Sequence, residues 1–421
     1  MDVPSEIRLL ESLARRSNSA ELWYTYADHL AHNGESADEP DANAKALEGF
    51  RRAEALDSSF APALEHQAFL YLVLGDTTNA IQAHARQARR DSTGDFFRVN
   101  DFMMEKGFGN LDGQMRALHR IAASRRAEDI IYPALFSSTQ FAGQRPRIDL
   151  ADSALATMAR AATGPLSPAA DAGRRDIHWN FGRAAAAAAI PAREDDLSGH
   201  IETVLAGVIW DADESQAARS ARMLEVAVRA RASSSSNVGR ALMEFALAQR
   251  ALAQGDTLRV EALQRSIRAN AEAAQPAWAG NNQRVLEAVI AAQLSVARRA
   301  PDARARVLAL DTLLLVTPEL NRRLTRATGN LILATLWERL GEADQVLRIT
   351  GRRDGQTAYA MFNTERLRLI ARAARALNRP QLERAALQEF LDMRASADAH
   401  LQPEVERFRA RVAELNASAA R

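Results

Sequence analysis

Apolar residues recur every three or four positions almost from end to end of the chain, with polar residues on the intervening faces. That is the period of an amphipathic α-helix. It predicts helices over 4–16, 20–32, 42–56, 61–74, 77–90, 95–106, 111–124, 127–142, 148–162, 170–189 and 196–210 in the first half. In the second half it predicts 214–232, 238–254, 257–271, 277–299, 302–316, 319–340, 343–350, 358–377, 380–395 and 402–416. Sustained period-two alternation is missing, so no strand is predicted. Short Gly, Asn, Asp or Pro turns separate the helices, which makes the chain a series of helical hairpins.

The series repeats. Trp23-x2-Tyr26-Ala27-x2-Leu30 opens one hairpin, and Ala46-x3-Phe50-x2-Ala53 closes it. The next reads Leu64-x2-Gln67-Ala68-x2-Tyr71, Gly75, then Ala80-x3-His84. Trp23 and Leu64 are 41 residues apart, and the excess over a ~34-residue period falls in the hydrophilic stretch 34–40. The small residues Ala27 and Ala68 let helices approach closely, while Trp23, Tyr26, Phe50 and Tyr71 fill the groove between them. Gly75 ends its helix through a left-handed cap. Gly255-Asp256-Thr257 echoes Gly75-Asp76-Thr77, and Ala334, Trp337 and Gly341 repeat the spacing of Ala68, Tyr71 and Gly75. Residues 127–235 match the repeat poorly, and Ser233–Ser236 and Ala162–Pro168 are breaks.

These positions resemble the tetratricopeptide repeat. The stretch Glu48–Asp95 looks like the repeat regions that follow a kinase, an adenylate cyclase or a transcriptional-activation DNA-binding domain in bacterial signalling proteins. Leu382–Leu415 is similar to their last repeat and capping helix. The resemblance implies an all-α, right-handed α-solenoid of stacked hairpins. We expect N-terminal repeats over 1–126, a degenerate helical region over 127–235 and C-terminal repeats with a cap over 236–421, forming one continuous array.

Composition narrows the function. The 421 residues include no cysteine, which excludes thiolate metal sites, disulfides and cysteine nucleophiles. Lys+Arg 54 nearly balances Asp+Glu 53, and the acids are interspersed among the bases, so the basic stripe of a nucleic-acid binder is missing. All the basic residues except Lys45 and Lys106 are arginines, a bias that reads as a coding-composition effect. Pairs such as Arg89-Arg90 and Arg298-Arg299 fall near predicted helix ends, where cations complement the helix dipole. No apolar run is long enough to span a membrane and no signal peptide is recognised at 1–19, so the expectation is a cytoplasmic protein.

Candidate chemistry is sparse. His29 and His32 lie one turn apart before Glu35, Asp38, Glu39 and Asp41, but without a fixed third ligand the stretch reads as a solvated acidic insertion. Asp176, His178, Trp179 and Asn180 read as an interior aromatic with polar company, because no nucleophile accompanies them. Glu194-Asp195-Asp196 and Asp211 to Glu214 read as helix-start caps. No catalytic set, metal set or cofactor is expected.

In the tetratricopeptide family the first helix of each hairpin lines a groove, gripping partners one residue past the core positions. The resemblance therefore implies partner-binding residues Tyr24, Asp28, Glu65, Phe69 and Leu72, with Ala31 or His32 beside them and Leu331, Thr335 and Glu338 in the same phase later. The same residues could instead contact only the neighbouring hairpin. The family's carboxylate clamp uses Lys, Asn and Arg, which these positions lack. The groove should then take a basic or amphipathic protein segment. The alternative is a small-molecule sensor with a pocket around Trp179, Trp210 and Trp278.

Overall fold

A computed structural model of the protein describes residues 2–90, 92, 95–108, 112–113, 116, 148–161, 166–190, 196–209, 214–230, 237–274, 280–317, 320, 322–352 and 362–419. Every regular element among them is helical. Of the expected helix 111–124 only residues 112, 113 and 116 are described, all helical, and the expected helix 127–142 lies outside these residues. The chain forms two compact units, Met1–Ile177 with Arg352–Tyr359, and His178–Gly351 with Ala360–Arg421.

The first unit holds α1 (Val3–Arg16), α2 (Ala20–Asn33), α3 (Ala42–Leu56), α4 (Ala61–Val73), α5 (Thr77–Arg90), α6 (Asp95–Phe108), α7 (Ile148–Ala161) and most of α8 (Leu166–Asn180). Asp2 and Ser19 cap α1 and α2, each accepting a hydrogen bond from the backbone N–H three residues on. The hairpin of α2 and α3 closes through small residues. A Cβ on Gly49 would sit 2.8 Å from that of Ala27, so the two backbones meet where neither carries bulk. Phe50, Leu30 and Ala46 are fully buried beside this contact. The next hairpin, α4 and α5, packs on α3 through a polar chain: Gln67 Nε2 donates to Glu54 at 3.0 Å and Arg86 donates to Gln67 at 3.3 Å.

The stretch after α2 differs from the expected solvated insertion. Residues Glu35–Ala37 form a 3-10 turn whose Ser36 and Ala37 are buried. Asp38, in the left-handed region at φ 59°, takes both Nε and Nη2 of Arg352 at 2.5 and 2.6 Å. The Arg352 side chain is 1% exposed, so this bidentate pair anchors the turn.

The second unit begins at the end of α8 and continues as α9 (Ala184–Ala188), α10 (Leu197–Ile209), α11 (Glu214–Ala230), α12 (Asn237–Ala253), α13 (Thr257–Ala273), α14 (Asn281–Ala297) and α15 (Ala303–Val316). It is completed by α16 (Thr328–Arg339), α17 (Ala343–Thr350), α18 (Asn363–Ala376), α19 (Pro380–Met393) and α20 (Gln402–Ala419). A π-helical turn, Arg322–Ala327, precedes α16. Helices pair in sequence, and α12, α14, α16 and α18 also pack successively on one another. This is the stacking of an α-solenoid.

One cap recurs at the hairpin turns. At Gly75, Gly255 and Gly341, with φ between 76° and 79°, the next N–H donates to the carbonyl five residues back. Asn378 and Arg299 adopt the same conformation at φ 53° and 52°. These are Schellman-type ends. The expected helix 170–189 is broken by another, at Gly182 with φ 70°, where Arg183 N–H bonds His178 O at 2.8 Å. A Cβ there would also clash with Arg394 Nη1.

That break docks on the last hairpin. Asp398 N–H donates to Gly182 O at 2.8 Å, Asp398 Oδ2 accepts from Ala185 N–H at 3.1 Å, and Arg183 donates to Ser396 Oγ. Phe181 packs against the apolar cluster that includes Leu367, Leu387 and Phe390.

Arginines link the hairpins of this unit. Arg250–Glu214, Arg259–Glu225, Arg298–Glu261, Arg304–Glu342, Arg348–Asp311, Arg372–Glu338, Arg379–Asp344 and Arg368–Glu404 all join residues 34 to 38 apart. That separation is the repeat length, so each pair spans one hairpin. Glu338, placed by the sequence on the groove face, is one of these struts.

Two expectations follow from this packing. Phe50→Ala should cost ~3–5 kcal/mol through its cavity, and Gly49→Leu ~1–3 kcal/mol by forcing α2 and α3 apart. Denaturant unfolding with hydrogen exchange checks both, and protection should fall most across α2–α4. The second concerns Glu383, buried between Arg411 at 2.8 Å and Arg375 at 2.7 Å. Hydrogen bonds from Arg411 first, then Arg375, outweigh its burial and hold its carboxyl below the ordinary 4.5. The pairs therefore add stability above pH 4.5, and that stability is lost as the pH falls through the depressed value. Acid unfolding monitored by circular dichroism should show this slope, and Glu383→Gln should flatten it.

Candidate functional site

Helices α2 and α4 are the first helices of successive hairpins, and the sequence-predicted residues divide between them. Tyr24, Asp28 and His32 follow one another at four-residue steps along α2, one face of a helix. Glu65, His66, Phe69 and Leu72 lie on α4. Tyr24, Asp28 and Glu65 are half-buried. Phe69 is 5% exposed and Leu72 1%. The last two are thus buried side chains, while the first three keep part of their surface open. They share that burial with Leu64, His66, Gln67, Ala68 and Leu70, so α4 is covered on nearly every face.

The centre of the arrangement is Asp28. Its Oδ1 lies 3.3 Å from His32 Nε2 and 3.2 Å from His66 Nε2. His66 comes from the other hairpin and was not singled out by the sequence. Its ring stacks on Phe50 at 4.8 Å and meets Tyr24 edge-on at 5.5 Å, with His32 edge-on at 6.2 Å. Tyr24 in turn packs at 5.5 Å from Phe50 and 5.3 Å from Phe60. His66 Nδ1 is 3.0 Å from the Pro62 carbonyl. A carbonyl only accepts, so Nδ1 carries a proton and donates it there.

The electrostatics follow from this packing. Burial works against the Asp28 charge, but the imidazoles of His32 and His66 outweigh it and hold the carboxyl well below the usual carboxylate range. Burial, then the charges of Asp28 and Glu65, push the Tyr24 hydroxyl up to about 12. Asp28 stays ionised and Tyr24 neutral at physiological pH.

A second polar join lies one hairpin on. Asn100 on α6 donates to Glu65 O at 2.9 Å and to Gln87 at 3.0 Å, so α4 and α6 share the face begun by α2 and α4. Asp101 sits 3.6 Å from His84, whose ring stacks on Phe97 at 4.9 Å.

The remaining candidates fall elsewhere. His29 points to Glu6 at 3.8 Å, away from the acidic turn. Asp176, His178, Trp179 and Asn180 are buried at the end of α8, and Trp179 belongs to the core of the second unit. Trp210 and Trp278 lie outside the described residues. Asp196 accepts from Gly199 N–H at 2.9 Å, a helix-start cap as read. Leu331 and Thr335 are half-buried, and the Thr335 hydroxyl bonds back to the Leu331 carbonyl.

No protein-family model and no curated protein matches the chain. Among solved structures, the crystal structure of yeast Tom70 is similar over 99% of this chain and 93% of that one, with 11% identity and a TM-score of 0.36. The P58(IPK) TPR domain is similar over 92% of this chain and 98% of that one, with 11% identity and a TM-score of 0.25. Both scores lie under one half, so the fold reading rests on the helix pairing and caps described above.

The burial of Phe69 and Leu72 gives a direct expectation. Phe69→Ala should destabilise the protein by ~3–5 kcal/mol and Leu72→Ala by ~2–5 kcal/mol, as buried truncations do. Chemical denaturation measures both losses.

Proposed function

We propose that the chain is a non-catalytic scaffold of the tetratricopeptide type that binds a protein or peptide segment along the face shared by α2 and α4. The observation that carries this reading is the lining. Tyr24, Asp28 and Glu65 stand partly open to solvent on neighbouring first helices, while the apolar residues between them are packed inward. A rigid aromatic with carboxylates beside it suits a basic or amphipathic segment. The same acidic lining disfavours a phosphate backbone. No helix among the described residues is long and apolar enough to cross a membrane, so this face is read as meeting a partner in aqueous solution. The resemblance of residues 48–95 and 382–415 to repeat regions of bacterial signalling proteins supports a signalling setting in the cytoplasm.

Aromatic anchors dominate such interfaces, with truncation costing ~2 kcal/mol or more, whereas partly exposed charges set association rate and salt dependence. An array of basic amphipathic peptides and their charge-reversed counterparts, read by surface plasmon resonance, tests the reading. The basic set should bind and the reversed set should not. Tyr24→Ala should speed dissociation, and Glu65→Lys should slow association and flatten its salt dependence. Binding indifferent to both changes would move the interaction to another face.

A further inference from the structure

We propose that Asp28 Oδ1, His32 Nε2 and His66 Nε2 form a binding site for a divalent transition-metal ion, zinc above all, that clips α2 to α4.

The three ligand atoms lie within 4.8 Å of one another, and they come from two hairpins. Two edges of the triangle, 3.3 and 3.2 Å, already match the ~3.3 Å that separates ligands in a tetrahedron with bonds of ~2.0–2.1 Å. Closing the third edge needs only a swing of the His32 ring, whose side chain is 37% exposed.

The hydrogen-bond arithmetic points the same way. His66 Nδ1 donates to the Pro62 carbonyl, so the neutral ring turns the lone pair of Nε2 toward a carboxylate oxygen that also only accepts. Two acceptors at 3.2 Å repel unless a cation lies between them. A proton is one such cation and a metal ion is the other. A backbone carbonyl on the far nitrogen of a metal-ligating histidine is the usual second partner, since it fixes the tautomer and ring orientation. Phe50 and Tyr24 hold the His66 ring in place from two sides, so little freedom is left to lose on binding.

Two imidazoles with one carboxylate suit zinc, copper or nickel, whereas calcium and magnesium prefer all-oxygen shells. His66 forms the closed wall of the site at 6% exposure, and Asp28 at 36% leaves its outer side to solvent. That side gives the ion an entry path and a fourth coordination position.

The inference is independent of any partner, and its test uses the isolated full chain. The chelator-stripped protein is titrated with zinc(II) against a chromophoric chelator, and with cobalt(II) for the visible absorption of a four-coordinate ion. One equivalent should bind, and the unfolding midpoint should rise by several degrees at saturation. Asp28→Asn, His32→Gln and His66→Gln should each weaken binding by more than the ~10–100-fold that loss of a supporting partner costs. His29→Gln, one turn away on the same helix, should bind as the parent does. His66→Gln disturbs core packing, so the half-exposed His32→Gln, checked for its helical spectrum, is decisive. A protein that takes up no zinc, as when a proton alone bridges the pair, overturns the site. An equivalent of zinc that survives all three ligand changes overturns it too.

Discussion

A two-helix hairpin leaves half of each apolar stripe facing outward, and a neighbour must cover it. The residues at the joints show how that demand is met. Small side chains let the members of a pair touch, as Ala27 and Gly49 do, and large ones such as Phe50 then fill the groove alongside. Left-handed caps turn the chain within two residues, so the second helix lies back on the first. Between hairpins the joints become polar: Glu54–Gln67–Arg86 in the first unit, and the reciprocal amide pair Gln249–Gln293 at 2.8 Å in the second. The amides of Gln67, Gln249 and Gln293 are hydrogen-bonded at these joints, and an unmatched one would cost more than the apolar contact it replaces.

The arginine bias acquires a physical reading from this arrangement. A side chain long enough to cross a hairpin, always charged and forked at its tip, finds the carboxylate one repeat away. Exposed pairs of this kind contribute at most ~1 kcal/mol each, so they are not the source of stability. Apolar stacking tolerates sliding, whereas a row of pairs at 34- to 38-residue separations accepts only one register.

Much of the architecture was legible in the sequence. The helical period located most of the helices, and the caps at Gly75, Gly255 and Gly341 were visible as glycines at matching offsets. The cap at Arg299 was not, because a residue with a Cβ occupies the left-handed position. Gly182 was hidden by the alanine run behind it, whose helix propensity argued for continuity. The turn after α2 looked solvated because Arg352, 314 residues from Asp38, has no local signature. The candidate site divides in the same way. Tyr24, Asp28 and His32 follow from the period of one helix, but His66 joins them only through the stacking of two hairpins. The burial of Phe69 and Leu72 was not legible, because periodicity identifies an apolar face without saying what covers it.

The docking of Gly182 to Ala185 on Ser396 to Asp398 has a bearing on how the protein is made. Arg183 and Ala185 are each 213 positions from their partners Ser396 and Asp398. At translation rates of ~5–20 residues per second, the second partner leaves the ribosome roughly 10–40 s after the first. A repeat array can consolidate hairpin by hairpin as it emerges. Here the turn after α8, with Phe181 at its base, must wait through that interval before the segment it docks on has been made.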